Sequence, residues 1–190
     1  MRLRVILASM LALVSLGGLA AAVLAQRSDR ARSLTVTLRN VNGAAVGTVV
    51  LSARSPSGAV DVRASVRRMK QGFHGFHVHA VGTCDAPTFM SATGHLEEMT
   101  QGHGDHIGDM SSLLVKRNGT ATLRLTTDRF ELGDLEDADG SAIMVHAAAD
   151  NFANIPPRYA PGGPDQQTLD TGDSGGRVAC AAVPASSAAG

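Results

Sequence analysis

The chain has 190 residues, enough for about one domain with appendages, and it carries 17 basic and 17 acidic side chains. A formal charge of zero supplies no overall field that would favour nucleic acid as a partner. Aromatic residues are scarce, with no Trp, one Tyr and five Phe, while 21 Gly and 7 Pro point to turns and long loops rather than a helical bundle.

Residues 1–25 read as an export signal. A basic start, MRLR, precedes the apolar run VILASMLALVSLGGLAAAVLA, and the sequence turns abruptly polar at QRSDRAR, with a cleavage point after Ala25. The run is also long enough to span a bilayer, so an uncleaved anchor is the alternative. Without Arg2 and Arg4 the remaining 15 bases face 17 acids, a net charge of −2. An exported domain lies in an oxidising compartment, either the periplasm or cell envelope or the medium, where cysteines pair. Only Cys84 and Cys180 are present, so a bridge between them has one possible connectivity.

After a linker over 26–32, short strands dominate. SLTVTLRNV alternates apolar and polar residues, and Asn42–Gly43 supplies a turn before AVGTVVLSA. GAVDVRASVRRM and GFHGFHVHAV follow, and SSLLVKRNGTATLRLTT reads as a hairpin about Asn118–Gly119. SAIMVHAAA and GRVACAAV complete seven or eight strands, an all-β, antiparallel sandwich or flattened barrel. The domain is expected over 33–183, with a flexible tail over 184–190. Two segments do not read as strands: Gly82 to Met110 and Asp150 to Gly175. Loops longer than about 12–15 residues are usually functional or disordered, and three histidines in the first favour function.

The chemistry concentrates in GFHGFHVH. Residues two apart on a strand share a face, so His77 and His79 point one way while Phe76 and Val78 enter the core. His146 ends another apolar strand, and His95 lies in the first long loop. Four imidazoles gathered at one centre suit Cu(II). A few residues on, GHGDHIGD offers His103, His106 and Asp109, a set that suits zinc if His95 supplies the fourth donor through its second ring nitrogen.

Together GFHGFHVH, Gly94–His95, His106–Asp109, VHAAADN and GGRVAC, in this order, resemble the copper/zinc superoxide dismutase family, exported actinobacterial-like type, over Ser33 to Val183. The resemblance implies a Greek-key, immunoglobulin-like fold with two functional loops. It also implies superoxide as substrate, disproportionated to O2 and H2O2 by one-electron cycling of copper. His77, His79, His95 and His146 match the copper ligands; His95, as the bridge, with His103, His106 and Asp109 matches the zinc set. Asp150 matches the aspartate linking a copper histidine to a zinc histidine, and His74 the histidine that ties strand to loop. Arg177 and Thr171 match the anion-guiding arginine and the channel threonine. Family members include monomers and dimers, so the oligomeric state stays open.

Three departures stand out. Asp170 occupies a place where many members carry lysine, with Arg158 as a possible compensating cation. His106 comes only three positions after His103, which puts the reach of His103 in question; the alternatives are Asp105 as a substitute donor or a zinc site that is weak or empty. Glu97 and Glu98 follow His95 where the family often has an aromatic and then Asn or Asp. A copper-buffering protein on the same scaffold is the alternative function; Arg177 and Asp150 favour the enzyme, because storage needs neither.

Overall fold

A computed structural model describes residues 32–97 and 102–186. The expected export signal, most of the linker, Glu98 and the last four residues of the tail lie outside the described residues. Nine strands are present among the described residues: β1 Ser33–Asn40, β2 Ala45–Ala53, β3 Val60–Val66, β4 Gly72–His74, β5 Phe76–His79, β6 Leu113–Val115, β7 Ala121–Thr127, β8 Ser141–His146 and β9 Arg177–Val183. One short helix, α1, spans Gln166–Thr171.

Seven strands form one antiparallel sheet in the order β5-β8-β9-β1-β2-β3-β7, and β4 pairs with β6 in a second sheet. The first three strands make a meander. The chain then crosses to the far edge at β5, returns to β7 beside β3, and crosses again to β8 and β9. The large sheet curls around one core, built from alternate residues of its strands. In β3, Val60, Val62, Ala64 and Val66 are buried while Arg63 and Ser65 face water, the period-2 pattern of a strand with one wet face. Each fully buried Val or Leu of this kind is worth roughly 1.5–3 kcal/mol over leaving it exposed.

Two sequence expectations are corrected. GFHGFHVHAV is two strands, because the chain breaks at Gly75: its N–H donates to Ala148 O at 2.9 Å and its carbonyl accepts from His146 N at 2.9 Å. A Cβ at Gly75 would lie 2.6 Å from that of Ser174, so the second loop packs directly on this point. SSLLVKRNGTATLRLTT does turn at Gly119, with φ 77°, but its arms do not form a hairpin ladder. β6 joins β4 and β7 joins β3, so the turn links two sheets.

The first long loop begins at a disulfide. Cys84 is bonded to Cys180 in β9, 96 positions away, and the bridge packs with Phe89, Ala92, Ala142 and Met144 in a small satellite cluster. The second loop contains α1, whose ends follow local rules. Asp165 caps it by accepting from Thr168 N at 2.9 Å, and Gly172, at φ 58°, ends it in the left-handed conformation.

Candidate metal centre

β5 pairs with β8 on one side; its other edge is taken by the first loop. Val78 N donates to Gly108 O at 2.9 Å, Leu96 N donates to Val78 O at 2.8 Å, and His77 and His79 sit opposite Asp109 and His95. Only glycine fits at position 108, where a Cβ would lie 2.3 Å from Val78 O. Phe76 and Val78 enter the core, and the face of His77 and His79 is sealed by loops, leaving both rings fully buried. His146 reaches the same space from the end of β8, at an irregularity in its pairing with β9.

The liganding nitrogens of His77, His79, His95 and His146 all lie within 4.8 Å of one another. Their outer hydrogen bonds fix which nitrogen faces inward. His79 Nδ1 donates to Thr93 O at 2.9 Å and His146 Nδ1 donates to Gly175 O at 3.0 Å, which leaves their Nε2 atoms 3.3 Å apart. His77 Nε2 donates to Asp150 Oδ2 at 2.6 Å, leaving its Nδ1 buried without a hydrogen-bond partner. Buried polar atoms are nearly always satisfied. An orphaned nitrogen beside two facing lone pairs fits a cation held among them.

A second set adjoins the first through His95. Its Nδ1 is 3.0 Å from Asp109 Oδ1 and 3.3 Å from His106 Nδ1. The buried His103 Nδ1 is 3.2 Å from Asp109 Oδ1, and His106 Nδ1 is 3.4 Å from Asp109 Oδ2. Donor atoms of His77, His95, His103 and Asp109 lie within 4.8 Å of one another, and His106 Nδ1 adjoins this group beside His95 and Asp109; imidazoles and a carboxylate are donors that zinc takes.

The reach of His103 has a local cause. Asp109 Oδ2 accepts from the backbone N–H of Gly104 at 2.6 Å and of His106 at 3.2 Å, which winds the segment into a tight turn. Gly104 makes this possible at φ 94°. Asp105 is exposed on the outside of the turn, so His103, and not Asp105, joins the cluster. Asp150 then spans both sets, accepting from His77 through Oδ2 and from His103 Nε2 through Oδ1 at 2.7 Å. Partners of this kind orient ligating rings and raise their basicity.

Charge follows the same division. Burial drives three histidines of the first set toward neutrality, aided by repulsion among the rings: His79 is pushed down to about 2, His146 to about 3 and His95 to about 4. Burial also opposes charge on His103, but hydrogen bonds to Asp109 and Asp150 outweigh it and raise this ring to about 9. Those two carboxyls sit far below the usual range despite burial, because His103 and His95, or His103 and His77, donate to them. The first set therefore offers free lone pairs and the second a negative charge.

Above the histidines opens a channel of about 650 Å³, lined by His79, His95 and His146 at its base and by Met90, Thr171 and Arg177 among its walls. Arg177, at the start of β9, is held by the carbonyls of Phe89, at 2.6 Å, and of Thr93. Asp170 also lines the channel; Arg158 does not, and stacks instead on Tyr159 with its guanidinium carbon 4.7 Å from the ring centre. The compensating cation expected at Arg158 is thus placed elsewhere. His74 lies outside both sets, its ring nitrogens 2.7 Å from His146 O and 2.8 Å from Lys70 O, so it ties β4 to the end of β8.

Two contributors had no role assigned from the sequence. Arg129 donates to the carbonyls of His106 and Gly104, both at 2.9 Å, and so grips the tight turn from the segment after β7. Glu97 Oε2 lies 3.3 Å from His106 Nε2, which accounts for an acid following His95. Neither position carries a local signal, since each acts through a contact distant in the chain or across a loop.

Comparison with known proteins agrees with this geometry. The model of the copper/zinc superoxide dismutase family (SODC) matches residues 45–183. The chain is 41% identical over 174 residues to superoxide dismutase [Cu-Zn] of Mycobacterium tuberculosis, covering 83% of this chain and 72% of that one. It is 32% identical to superoxide dismutase [Cu-Zn] 2 of Brassica juncea over 155 residues, 78% of this chain and 95% of the relative. Among solved structures, a SOD-like protein from Bacillus subtilis aligns with TM-score 0.62 and 27% identity, over 78% of this chain and 96% of that one. Cu/Zn superoxide dismutase from Brucella abortus aligns with TM-score 0.62 and 25% identity, over 80% and 99%. With the profile spanning most of its length and relatives this similar, the chain belongs to the copper/zinc superoxide dismutase family.

Proposed function

We propose that this protein is an exported superoxide dismutase, with residues 33–183 as the working domain and 1–25 as the signal that directs it out of the cytoplasm. The observation carrying the reading is the convergence of four imidazoles, three of them at the floor of a channel that also holds Arg177. His77 through Nδ1, and His79 and His146 through Nε2, would hold copper, with His95 Nε2 as the fourth donor. His95 Nδ1, His103, His106 and Asp109 would hold zinc. When bound, copper supplies a valence change of one electron, and zinc fixes the ring of His95 without redox chemistry.

The chain's own residues do the rest. Arg177 draws the superoxide anion to the channel floor and holds it there; its two carbonyl partners keep the guanidinium aimed inward. Its field is local, which matters for a chain whose net charge without residues 1–25 is −2. The ring of His95 stands between the two sets, so its Nε2 is the atom placed to carry a proton to the departing peroxide. Asp150 holds the tautomers of His77 and His103 so that both present Nδ1 to the metal sides. Thr171 lines the same channel as Arg177.

The test is superoxide decay measured on copper-loaded protein with and without zinc, with metal content determined in parallel. His146→Ala should abolish turnover and weaken copper binding. Full activity of that variant with copper in place would overturn the ligand assignment, and copper uptake by the parent without superoxide decay would favour the buffering alternative.

A further inference from the structure

Phe73 and Leu114 stand directly opposite each other on β4 and β6, and both are 55% exposed. Paired apolar residues left in water on a soluble domain mark a contact surface more often than chance. Their surroundings are strongly basic. The two stretches that build this end of the barrel, Val62 to Cys84 and Met110 to Thr127, contain seven Lys and Arg and no Asp or Glu. Lys70 lies three residues before Phe73, and Lys116 two residues after Leu114. Met69 N donates to Gly119 O at 3.2 Å, which brings Arg68 and Lys70 against the turn that carries Lys116 and Arg117. All four are exposed, and none forms an ion pair with a carboxylate among the described residues. On β3 and β7 of the large sheet Arg63 faces Arg124 in register, both exposed, an opposition of like charges that costs stability unless something anionic lies over it.

We propose that this end of the barrel docks on an anionic lipid bilayer. Phe73 and Leu114 enter the boundary between headgroups and acyl chains, and the surrounding cations meet lipid phosphates. Two features together select this occupant. A second copy of the chain meeting the same face would set Arg68, Lys70, Lys116 and Arg117 against the same cations of its neighbour. A nucleic acid or acidic polysaccharide would satisfy the cations but leave an aromatic and an aliphatic side chain in water. A surface with anionic groups above an apolar interior satisfies both. The contact is independent of the metal centre, whose channel opens between the two long loops.

The absence of Trp makes a residue-specific test available. Phe73→Trp places one indole at the proposed contact, Leu114→Trp places it on the neighbouring strand, and Tyr159→Trp, at a position 71% exposed in the second loop, serves as the remote control. With vesicles of mixed phosphatidylglycerol and phosphatidylcholine, the emission of the first two should move to the blue and that of the control should not. Pure phosphatidylcholine vesicles should give no shift, and about 0.5 M salt should remove it by screening. Adding Lys116→Glu and Arg117→Glu to the Phe73→Trp protein should weaken partitioning at least about tenfold. No shift with anionic vesicles from either reporter would overturn the proposal. A shift that grows with protein concentration in the absence of lipid would overturn it in favour of self-association. A shift with heparin and none with vesicles would overturn it in favour of a polysaccharide.

Discussion

Arg177 shows how one side chain can serve both shape and reaction. Its two hydrogen bonds tie β9 to the first loop, and the same side chain lines the channel wall. Arg177→Ala should slow superoxide decay about tenfold or more while copper content stays near that of the parent, the loss of one steering and docking charge. An unchanged rate at low salt would contradict that role. Asp170 acts in the opposite sense, placing a negative charge on the wall of a channel that admits an anion. Gln166 Nε2 donates to its carboxylate at 2.7 Å, fixing that charge in position. Asp170→Lys should raise the low-salt rate several-fold and make it fall more steeply with ionic strength; a rate insensitive to the change would show that the total field, and not this wall, governs entry. Most of the ligand residues were legible because their types and spacing are tied to metal chemistry. Arg129 and Glu97 were not, because an arginine on a backbone carbonyl and an exposed glutamate look like ordinary surface residues until the loop is folded over them.

At the level of elements, β2 was legible to its end residues, Ala45 and Ala53, because a run rich in valine bounded by turn residues leaves little choice. The division of β4 from β5 was hidden, since the approach of Ser174 to Gly75 joins positions about a hundred residues apart. The helix α1 was passed over although Asp165 and Gly172 bracket it; six residues show too little periodicity to stand out in a loop. The end of that helix matters to the site. A Cβ at Gly172 would come 2.1 Å from Asp150 Oδ1 and 2.2 Å from His103 Nε2, inside the hydrogen bond that spans the two metal sets, and the backbone there is left-handed. Gly172→Ala should therefore push the second loop off Asp150 and lower zinc affinity about 10- to 100-fold, the usual range for losing such a partner. Cobalt substituted for zinc gives the readout: an unaltered visible spectrum and affinity would show that the loop relaxes without disturbing His103.

Over the whole molecule, the buried histidines make the metal-free protein sensitive to acid. His79, His146 and His95 resist protonation in the fold, with values near 2, 3 and 4, whereas unfolded imidazoles titrate near 6.5. Above pH 6.5 both states are neutral at these rings. Below it the unfolded chain takes up protons that the native state refuses, so stability falls as pH drops from about 6.5 toward 4, by up to about 1.4 kcal/mol per pH unit for each ring. Asp109 and Asp150 add to the loss once pH falls below the ordinary carboxylate range. His103, raised to about 9, works the other way: its stabilisation is complete below 6.5 and disappears as pH rises through 9. Metal-free protein should show its highest urea midpoint near neutrality and a marked fall by pH 5, and metal should flatten the acid limb. An acid limb equally flat without metal would mean that the rings are already protonated in the native state.

The Cys84–Cys180 bridge anchors the loop whose Phe89 and Thr93 carbonyls grip Arg177, and Cys180 follows that arginine by three residues on the same strand. Thiol reductants would thus act on guidance of the anion as well as on fold strength, loosening the handhold before any ligand is lost. At equal copper content, a chain with the two sulfurs apart should therefore clear superoxide more slowly than the bridged one.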